Sequence, residues 1–426
     1  MRIEVFCESG EKYGLGHLRR CENLLLHLQE IFPTLEFQIT FHSDFIPLES
    51  DIVIIDSYIA PLSFYMNIKA KILICLDDFH RLPYPSNALI LRPTLGAKTF
   101  AKSVGGSGYV ILHPSFLAPK KIQTIKGRIL INLGGSRQDA LLSSILANLQ
   151  GDIHIINPYF KHPDYKTYHS LSPQEICNLI DSSEIVICAG GGGVNEALSR
   201  GKKTIALCIA KNQYFQLSHA PTFPSLFSIF SLHNLSSKLS YALKSLQTIP
   251  LDFEPFVLGC HLKSWLYKTL LSLLSAPNAL HFSLLKHKQK LEVLALRNQK
   301  EVRENSLDPS IIDPKKHFSF ISSMPFSQFF WAFFQDENKN GEIIAVGSLC
   351  LKEKNKATLG IYKNIRYRCI GEKILHLLLD SAKKLNIITI ELEVLKTNQK
   401  AIYLYSKLGF LIQEEKENSW IMEKKV

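Results

Sequence analysis

At 426 residues, with 46% hydrophobic and 20% charged side chains, the chain is too long for one ordinary core and too apolar to be disordered. No apolar run reaches the roughly 20 residues of a membrane span, and Met1-Arg2-Ile3-Glu4-Val5 lacks the long apolar segment of a signal peptide. The net charge of +11 comes from scattered lysines with no basic stripe interleaved with aromatics, which argues against a nucleic-acid partner and fits anionic ligands.

The chain opens on a short strand, Ile3, Val5 and Cys7 alternating with polar neighbours, and then Tyr13-Gly14-Leu15-Gly16-His17. A helix follows with Leu18, Cys21, Leu25 and Leu28 on one face. Gly14 and Gly16 allow close backbone approach to a ligand, and the helix start offers free N–H groups to an anion. There His17 could act on a phosphorylated or nucleotide-linked substrate. A plain strand-to-helix turn with a surface histidine has the same local pattern.

The apolar runs Asp51–Asp56 and Ile72–Asp78 read as buried parallel strands, both handing over to loops at aspartates, the ligand edge of an open α/β sheet. Val110-Ile111-Leu112 precedes a punctuated stretch through Pro119-Lys120-Lys121. A second strand–helix series follows: Arg128 to Gly134-Gly135-Ser136, Ile153–Ile156, Glu184–Ala189 feeding Gly190–Gly193, and Thr204–Ile209. The amides of Gly191, Gly192 and Gly193 can bind a diphosphate without side-chain obstruction, and Glu196 in the next helical turn can take ribose hydroxyls or serve only as a helix N-terminal charge. Two α/β halves sending glycine-rich loops to one crevice describe a paired Rossmann-type architecture.

A helical run from Trp265 to Leu274 ends at Ser275-Ala276-Pro277-Asn278, which reads as a linker. Beyond it the pattern changes to a helix over Leu291–Arg303, aromatic strands near Phe329–Phe334, strands over Ile343–Leu351 and Ala357–Tyr362, a helix over Gly371–Lys384 and a strand over Ile388–Val394, a smaller α+β domain. The expected domains are therefore 1–125 and 126–275, the two Rossmann-like halves, and 280–426. The nine cysteines include no C-x-x-C pair and several lie in apolar runs, as expected of thiols in a reducing cytoplasm, with no disulfide or metal site.

Gly14-Leu15-Gly16-His17 with Arg19-Arg20, Asp56-Ser57-Tyr58, Asp77-Asp78, Gly134-Gly135-Ser136, the loop from Gly191 to Glu196, and Asn212-Gln213 stand in an order that resembles the pseudaminic-acid pathway nucleotide-sugar hydrolases, which are similar to MurG-type GT-B glycosyltransferases. The resemblance covers residues 1 to about 275. It implies hydrolysis of UDP-2,4-diacetamido-2,4,6-trideoxy-β-L-altropyranose without a metal, His17 activating the water that attacks the anomeric carbon. It also implies that Gly14, Gly16, Arg20, Asp56, Tyr58, Gly135, Ser136, Gly191, Gly192, Gly193, Glu196, Asn212 and Gln213 line the UDP-sugar site. The chain differs where Arg137-Gln138 precede Asp139, and where Gly192 and Gly193 replace the usual hydroxyl residues.

In the C-terminal part, Arg368-Cys369-Ile370-Gly371-Glu372-Lys373 before a helix, then Asn398-x-x-Ala401-x-x-x-Tyr405-x-x-x-Gly409-Phe410, resemble the GNAT acetyltransferases. That likeness implies acetyl-CoA held by Ile361, Arg368, Ile370, Gly371, Lys373 and Asn398, with Tyr405 protonating the leaving thiolate. A phenol of pKa about 10 suits that task better than base work. Leu296-Arg297-Asn298, His317 and Leu359–Asn364 look most like the 4-amino-sugar N-acetyltransferase of the same pathway, making Arg297 and His317 candidates for substrate contact. The expected whole is a GT-B-like pair followed by a GNAT domain, acting on UDP-linked amino sugars. A glycosyltransferase, or a non-catalytic sugar-nucleotide module in place of the hydrolase, are the alternatives.

Overall fold

The computed structural model describes residues 1–9, 15–100, 102–251 and 253–426. They form two compact units: Arg2–His27 with Gln38–Lys263, and Met1, Leu28–Phe37 with Ser264–Val426. Among the described residues no helix is long and apolar enough to cross a membrane.

The first unit holds two parallel six-stranded sheets. The first has the order β2-β1-β3-β4-β5-β6, with β1 Arg2–Cys7, β2 Gln38–His42, β3 Glu49–Asp56, β4 Lys69–Leu76, β5 Ala88–Arg92 and β6 Ser103–Gly105, accompanied by α1 Gly16–Ile31 and α2 Leu62–Met66. Its Ile- and Val-rich strands are buried on both faces: Ile52, Val53, Ile54 and Ile55 are all inaccessible. The second sheet has the order β12-β11-β10-β7-β8-β9, with β7 Ile129–Asn132, β8 Ile153–Ile156, β9 Lys166–Tyr168, β10 Ile185–Ala189, β11 Lys203–Leu207 and β12 Leu226–Ile229. Its helices are α3 Asp139–Leu146, α4 Pro173–Ser182, α5 Gly192–Ser199, α6 Lys211–His219 and α7 Leu235–Gln247.

In each sheet the strand order reverses once, between β1 and β3 and between β7 and β10, and such a switch point opens a crevice at the strands' carboxyl ends. His17 and Asp56 stand at the first, and Gly134-Gly135 and Gly190–Gly193 at the second. Val110-Ile111-Leu112 forms no strand; Val110 and Leu112 pack with Leu130, Val186 and Ala206 in the core of the second sheet. The segment after Phe116 is fixed by a buried ion pair, Arg200 Nη2 to Asp181 Oδ2 at 2.7 Å, whose Nη1 also donates to the Phe116 carbonyl at 3.1 Å. Lys202, fully buried, donates to Thr124 Oγ1 at 2.8 Å.

The second unit is built on one sheet, β13-β14-β15-β16-β17-β19-β18, with β13 Ala279–His281, β14 Gln328–Phe334, β15 Ile343–Glu353, β16 Lys356–Lys363, β17 Thr389–Leu395, β18 Leu411–Glu415 and β19 Ser419–Lys425. Its helices are α8 Leu262–Leu274, α9 His287–Arg297, α10 Lys300–Glu304, α11 Pro314–Ser322, α12 Gly371–Lys384 and α13 Gln399–Lys407. The helix expected over Leu291–Arg303 is thus two helices, broken at Asn298-Gln299, where the Asn298 side chain bonds Ile312. Ser275–Asn278, expected as a linker, is a turn bonded into this unit: Trp331 Nε1 donates to Ser275 Oγ at 2.9 Å and Asn278 Nδ2 to the Phe334 carbonyl at 2.9 Å. All strand pairs are antiparallel except β16–β17. α12 lies so close on β15 that a Cβ on Gly347 would meet a Leu378 methyl at 2.7 Å.

Candidate active sites

β1 and β3 run side by side in register, Cys7 against Asp56, so the residues just past them share one sheet edge. α1 begins there and sets His17 in its first turn. His17 Nδ1 is 2.7 Å from Asp56 Oδ1, and its ring meets the Tyr58 ring edge-on at 4.5 Å between centroids. One turn on, Arg20 Nε donates to Asp56 Oδ2 at 2.7 Å, and Arg20 Nη1 to both oxygens of Asp78 at 2.9 and 2.8 Å. Tyr58 donates its hydroxyl proton to Asp78 Oδ2 at 2.5 Å. Burial pushes the Asp56 pKa up, but the Arg20 charge and the hydrogen bonds from His17 and Arg20 outweigh it and hold the carboxyl below its usual value. Asp56 is therefore an ionised acceptor that fixes the Nδ1–H tautomer of His17 and leaves Nε2 with the lone pair.

Arg20 and Asp56, expected at the UDP-sugar site, turn polar atoms on His17, on each other and on Asp78; Asp56 is fully buried. Tyr58 reaches further, lining a cleft of about 890 Å³ with Phe79, Arg81, Ile209, Asn212, Tyr214 and Phe215. This cleft joins the loops of both sheets, with Phe79 and Phe215 in ring contact at 5.4 Å. Asn212 faces it from an exposed first turn of α6, whereas the Gln213 side-chain oxygen is taken by the amides of Ile209 and Ala210. Gly14 lies outside the described residues, and Gly16 opens α1 in an exposed position.

At the second sheet's switch point, Gly191 caps α5 and Gly192 and Gly193 form its first turn. A Cβ on Gly134, Gly135, Gly191 or Gly192 would meet none of the described residues within 4 Å. Gly134 sits at φ +90°, a conformation that favours glycine. Ser136 is exposed beside them, accepting from Gln138 at 3.2 Å. Glu196 is half-buried on α5; burial pushes its carboxyl up to about 7, against the pull of Arg19 on α1. Among the described residues no group of three or more His, Cys, Asp or Glu could hold a metal ion.

In the second unit, β16 and β17 pair only over Lys356–Thr358 against Thr389–Glu391 and then part company. The free half of β16, Leu359 to Lys363 with Ile361 at its middle, leaves backbone groups open along a slot. α12 begins at its end: Ile370 stands at the N-cap without a side-chain cap, so the amides of Gly371, Glu372 and Lys373 are open to an anion. Glu372 is drawn aside by Lys407 at 2.8 Å, and Arg368 and Lys373 are exposed. An extended thiol cofactor with a pyrophosphate fits this set: strand edge for its amides, helix start for its phosphates. Asn398 caps α13 by accepting from the Ala401 amide at 3.2 Å. Tyr405 on α13 packs its ring on Phe410, and burial pushes its phenol up to about 12. Arg297 donates to the Asp308 carbonyl at 2.7 Å while its Nη1 is buried with no partner among the described residues, and its charge reaches Tyr362 on the free half of β16. His317, a candidate for substrate contact, is a core residue bonded to the Lys290 carbonyl at 3.0 Å.

The sequence reading missed Glu8, Phe79, Arg81 and Phe215, and named Asp78 without assigning it to the site. A carboxylate one or two residues beyond a parallel strand is a signal that marks Glu8 and Asp78 alike; the aromatics carry none, because their convergence depends on how the two sheets' loops meet.

Residues 300–410 match the model of the Acetyltransferase (GNAT) family. A Helicobacter pylori protein named "Pseudaminic acid cytidylyltransferase and UDP-2,4-diacetamido-2,4,6-trideoxy-beta-L-altropyranose hydrolase" is 31% identical over 239 residues, covering 51% of this chain and 46% of that protein. The chain thus spans about half the length of this relative. Among solved structures, the Campylobacter jejuni N-acetyltransferase PseH aligns at TM-score 0.29 and 20% identity over 34% of this chain and 96% of its own. A spermidine N-acetyltransferase from Vibrio cholerae aligns at TM-score 0.31 and 15% identity over 35% of this chain and 96% of its own. The chain carries a GNAT acetyltransferase domain, and over half its length it is similar to a protein named for pseudaminic-acid cytidylyl transfer and UDP-sugar hydrolysis.

Proposed function

We propose that the chain is a bifunctional enzyme of pseudaminic acid biosynthesis, acting in the cytoplasm on UDP-linked amino sugars. Its second unit N-acetylates the UDP-4-amino-4,6-dideoxy-AltNAc precursor, and its first unit, a GT-B-like pair, hydrolyses the product, UDP-2,4-diacetamido-2,4,6-trideoxy-β-L-altropyranose, to free sugar and UDP. The observation that supports the hydrolase reading is the His17–Asp56 pair at 2.7 Å, set at the first sheet's switch point, with the open glycine loops at that of the second. His17 Nε2 takes a proton from water, the water oxygen bonds to the anomeric carbon, and the carbon–oxygen bond to UDP breaks with its electron pair leaving on the diphosphate. The amides of Gly191, Gly192 and Gly193 receive the charge that builds there, Glu196 and Asn212 meet the nucleoside, and Tyr58 with Phe79 and Phe215 borders the sugar.

Acetyl-CoA supplies the acetyl group as a thioester. The free half of β16 with Ile361, and the α12 start with Arg368, Ile370, Gly371 and Lys373, would hold it. Tyr405, kept protonated by burial, donates to the departing sulfur, and the orphaned Arg297 N–H meets the sugar nucleotide. Tyr405→Phe is expected to slow acetyl transfer about 10²-fold or more while CoA affinity stays within a few-fold. Transfer at the wild-type rate would remove Tyr405 from the reaction.

A further inference from the structure

Glu8 is a second carboxylate on His17. It follows β1 directly, is almost fully buried, and has both oxygens engaged: Oε2 accepts from the Tyr58 amide at 3.1 Å, and Oε1 from the Ile59 amide at 3.2 Å and from the Ser57 hydroxyl. Those contacts fix the turn that brings Tyr58 against the imidazole. The same Oε2 lies 3.9 Å from His17 Nε2, on the far side of the ring from Asp56. The imidazole therefore has a carboxylate facing each nitrogen. One is within hydrogen-bond distance; the other is close enough to act by charge and too far to take up the lone pair.

The remaining charged and titratable groups around the ring are arranged otherwise. From β3 come Asp56 and then Tyr58, from β4 Asp78 by way of Arg20, and from β1 and α1 the thiols of Cys7 and Cys21 beside Asp56. Arg20 is occupied by Asp56 and Asp78, and the charge of Arg19 on α1 acts on Glu196 of α5. Glu8 is the carboxylate that approaches Nε2 among the described residues. A brace for three donors needs no charge, since a neutral amide oxygen accepts as well; a buried carboxylate costs more to desolvate unless something cationic forms beside it.

We propose that Glu8 is a positioning residue for His17: it fixes the 57–59 turn, and its charge stabilises the imidazolium created when Nε2 takes a proton from water. The catalytic role rests on reading His17 as the base, while the coupling between the two side chains can be measured without any turnover. The test is an NMR titration of the full chain with labelled histidine imidazoles, the His17 signal being assigned by its loss in His17→Asn. Glu8→Gln is expected to lower the His17 titration midpoint by about one pH unit, the scale of a unit charge roughly 4 Å away and partly screened. Ser57→Ala, which loosens the turn and keeps the charge, is expected to leave the midpoint in place. An unmoved midpoint in Glu8→Gln, or an equal fall in Ser57→Ala, overturns the proposal. Should Glu8→Gln fail to fold, Glu8→Asp withdraws the carboxylate by one methylene and is expected to give part of the fall; no fall there overturns it equally. A lowered midpoint in a protein that releases no UDP would support the coupling and remove the hydrolase reading; UDP release with an unmoved midpoint would do the reverse.

Discussion

At the scale of single residues, the chemistry proposed for the first unit depends on which imidazole nitrogen is free. An ionised, fully buried Asp56 holds the proton on Nδ1, and Arg20 holds Asp56 ionised, so three residues in two turns of α1 and the end of β3 define one lone pair. Asp56→Asn offers the imidazole an amide that can present N–H in place of oxygen, and UDP release is expected to fall about 10²-fold or more with melting temperature changed far less. A variant with unchanged release would show that another group orients His17. Glu196 gives a pH-dependent expectation. Its carboxyl ionises at about 7 when folded, against its ordinary 4.5, so the folded state binds the proton more tightly. The associated stability is complete below the ordinary value and declines as pH rises through about 7. Glu196→Gln removes that decline: its melting temperature is expected to match the wild type near pH 4.5 and exceed it above pH 7.5, by about 2–4 °C for each kcal/mol recovered. A pH-independent difference would mean Glu196 is not held back from ionising.

At the scale of elements, the diphosphate site proposed for the first unit calls for glycine where side chains would obstruct. Gly192 is the first residue of α5, and a Cβ there meets none of the described residues within 4 Å. Gly192→Ala is expected to keep or raise stability by up to about 1 kcal/mol, as alanine does in helices, and yet to raise the KM for the UDP-sugar at least tenfold by filling the space a phosphate would occupy. Unchanged KM would place the diphosphate elsewhere. The Arg200–Asp181 pair contrasts with this: both partners are buried, and the guanidinium also holds the Phe116 carbonyl. Asp181→Ala strands that charge and is expected to destabilise the first unit by about 3–5 kcal/mol, read as a fall in its melting transition.

The elements themselves were largely legible. Strands such as Ile52–Ile55 and the α12 span Gly371–Lys384 announce themselves by apolar runs and by period, because their burial is decided locally by sheet and helix faces. What stayed hidden depends on distant partners. Val110–Leu112 has a strand's composition but finds no strand to pair with, and Ser275–Asn278 has a linker's composition but is bonded to β14. His17 and the glycine loops could be named from their place at strand ends and helix starts, and Tyr405, in the last turn of α13, only from the spacing Asn398-x-x-Ala401-x-x-x-Tyr405 that resembles the GNAT family. Whether Asp56 and Arg20 face substrate or each other could not, since that turns on side-chain directions across two strands and a helix.

At the scale of the whole molecule, each unit carries its own candidate chemistry, and the two proposed reactions are consecutive: the product of one is the substrate of the other. Each reaction is expected to fail alone when its own residue is changed. The most direct measurement incubates His17→Ala, beside the wild type, with acetyl-CoA and the UDP-4-amino sugar and follows acetylated nucleotide sugar and free UDP together. The account expects the wild type to yield both, and the variant to accumulate acetylated UDP-sugar while UDP release falls about 10²- to 10⁴-fold. UDP release by the variant at the wild-type rate, or no release by the wild type above background, would contradict it.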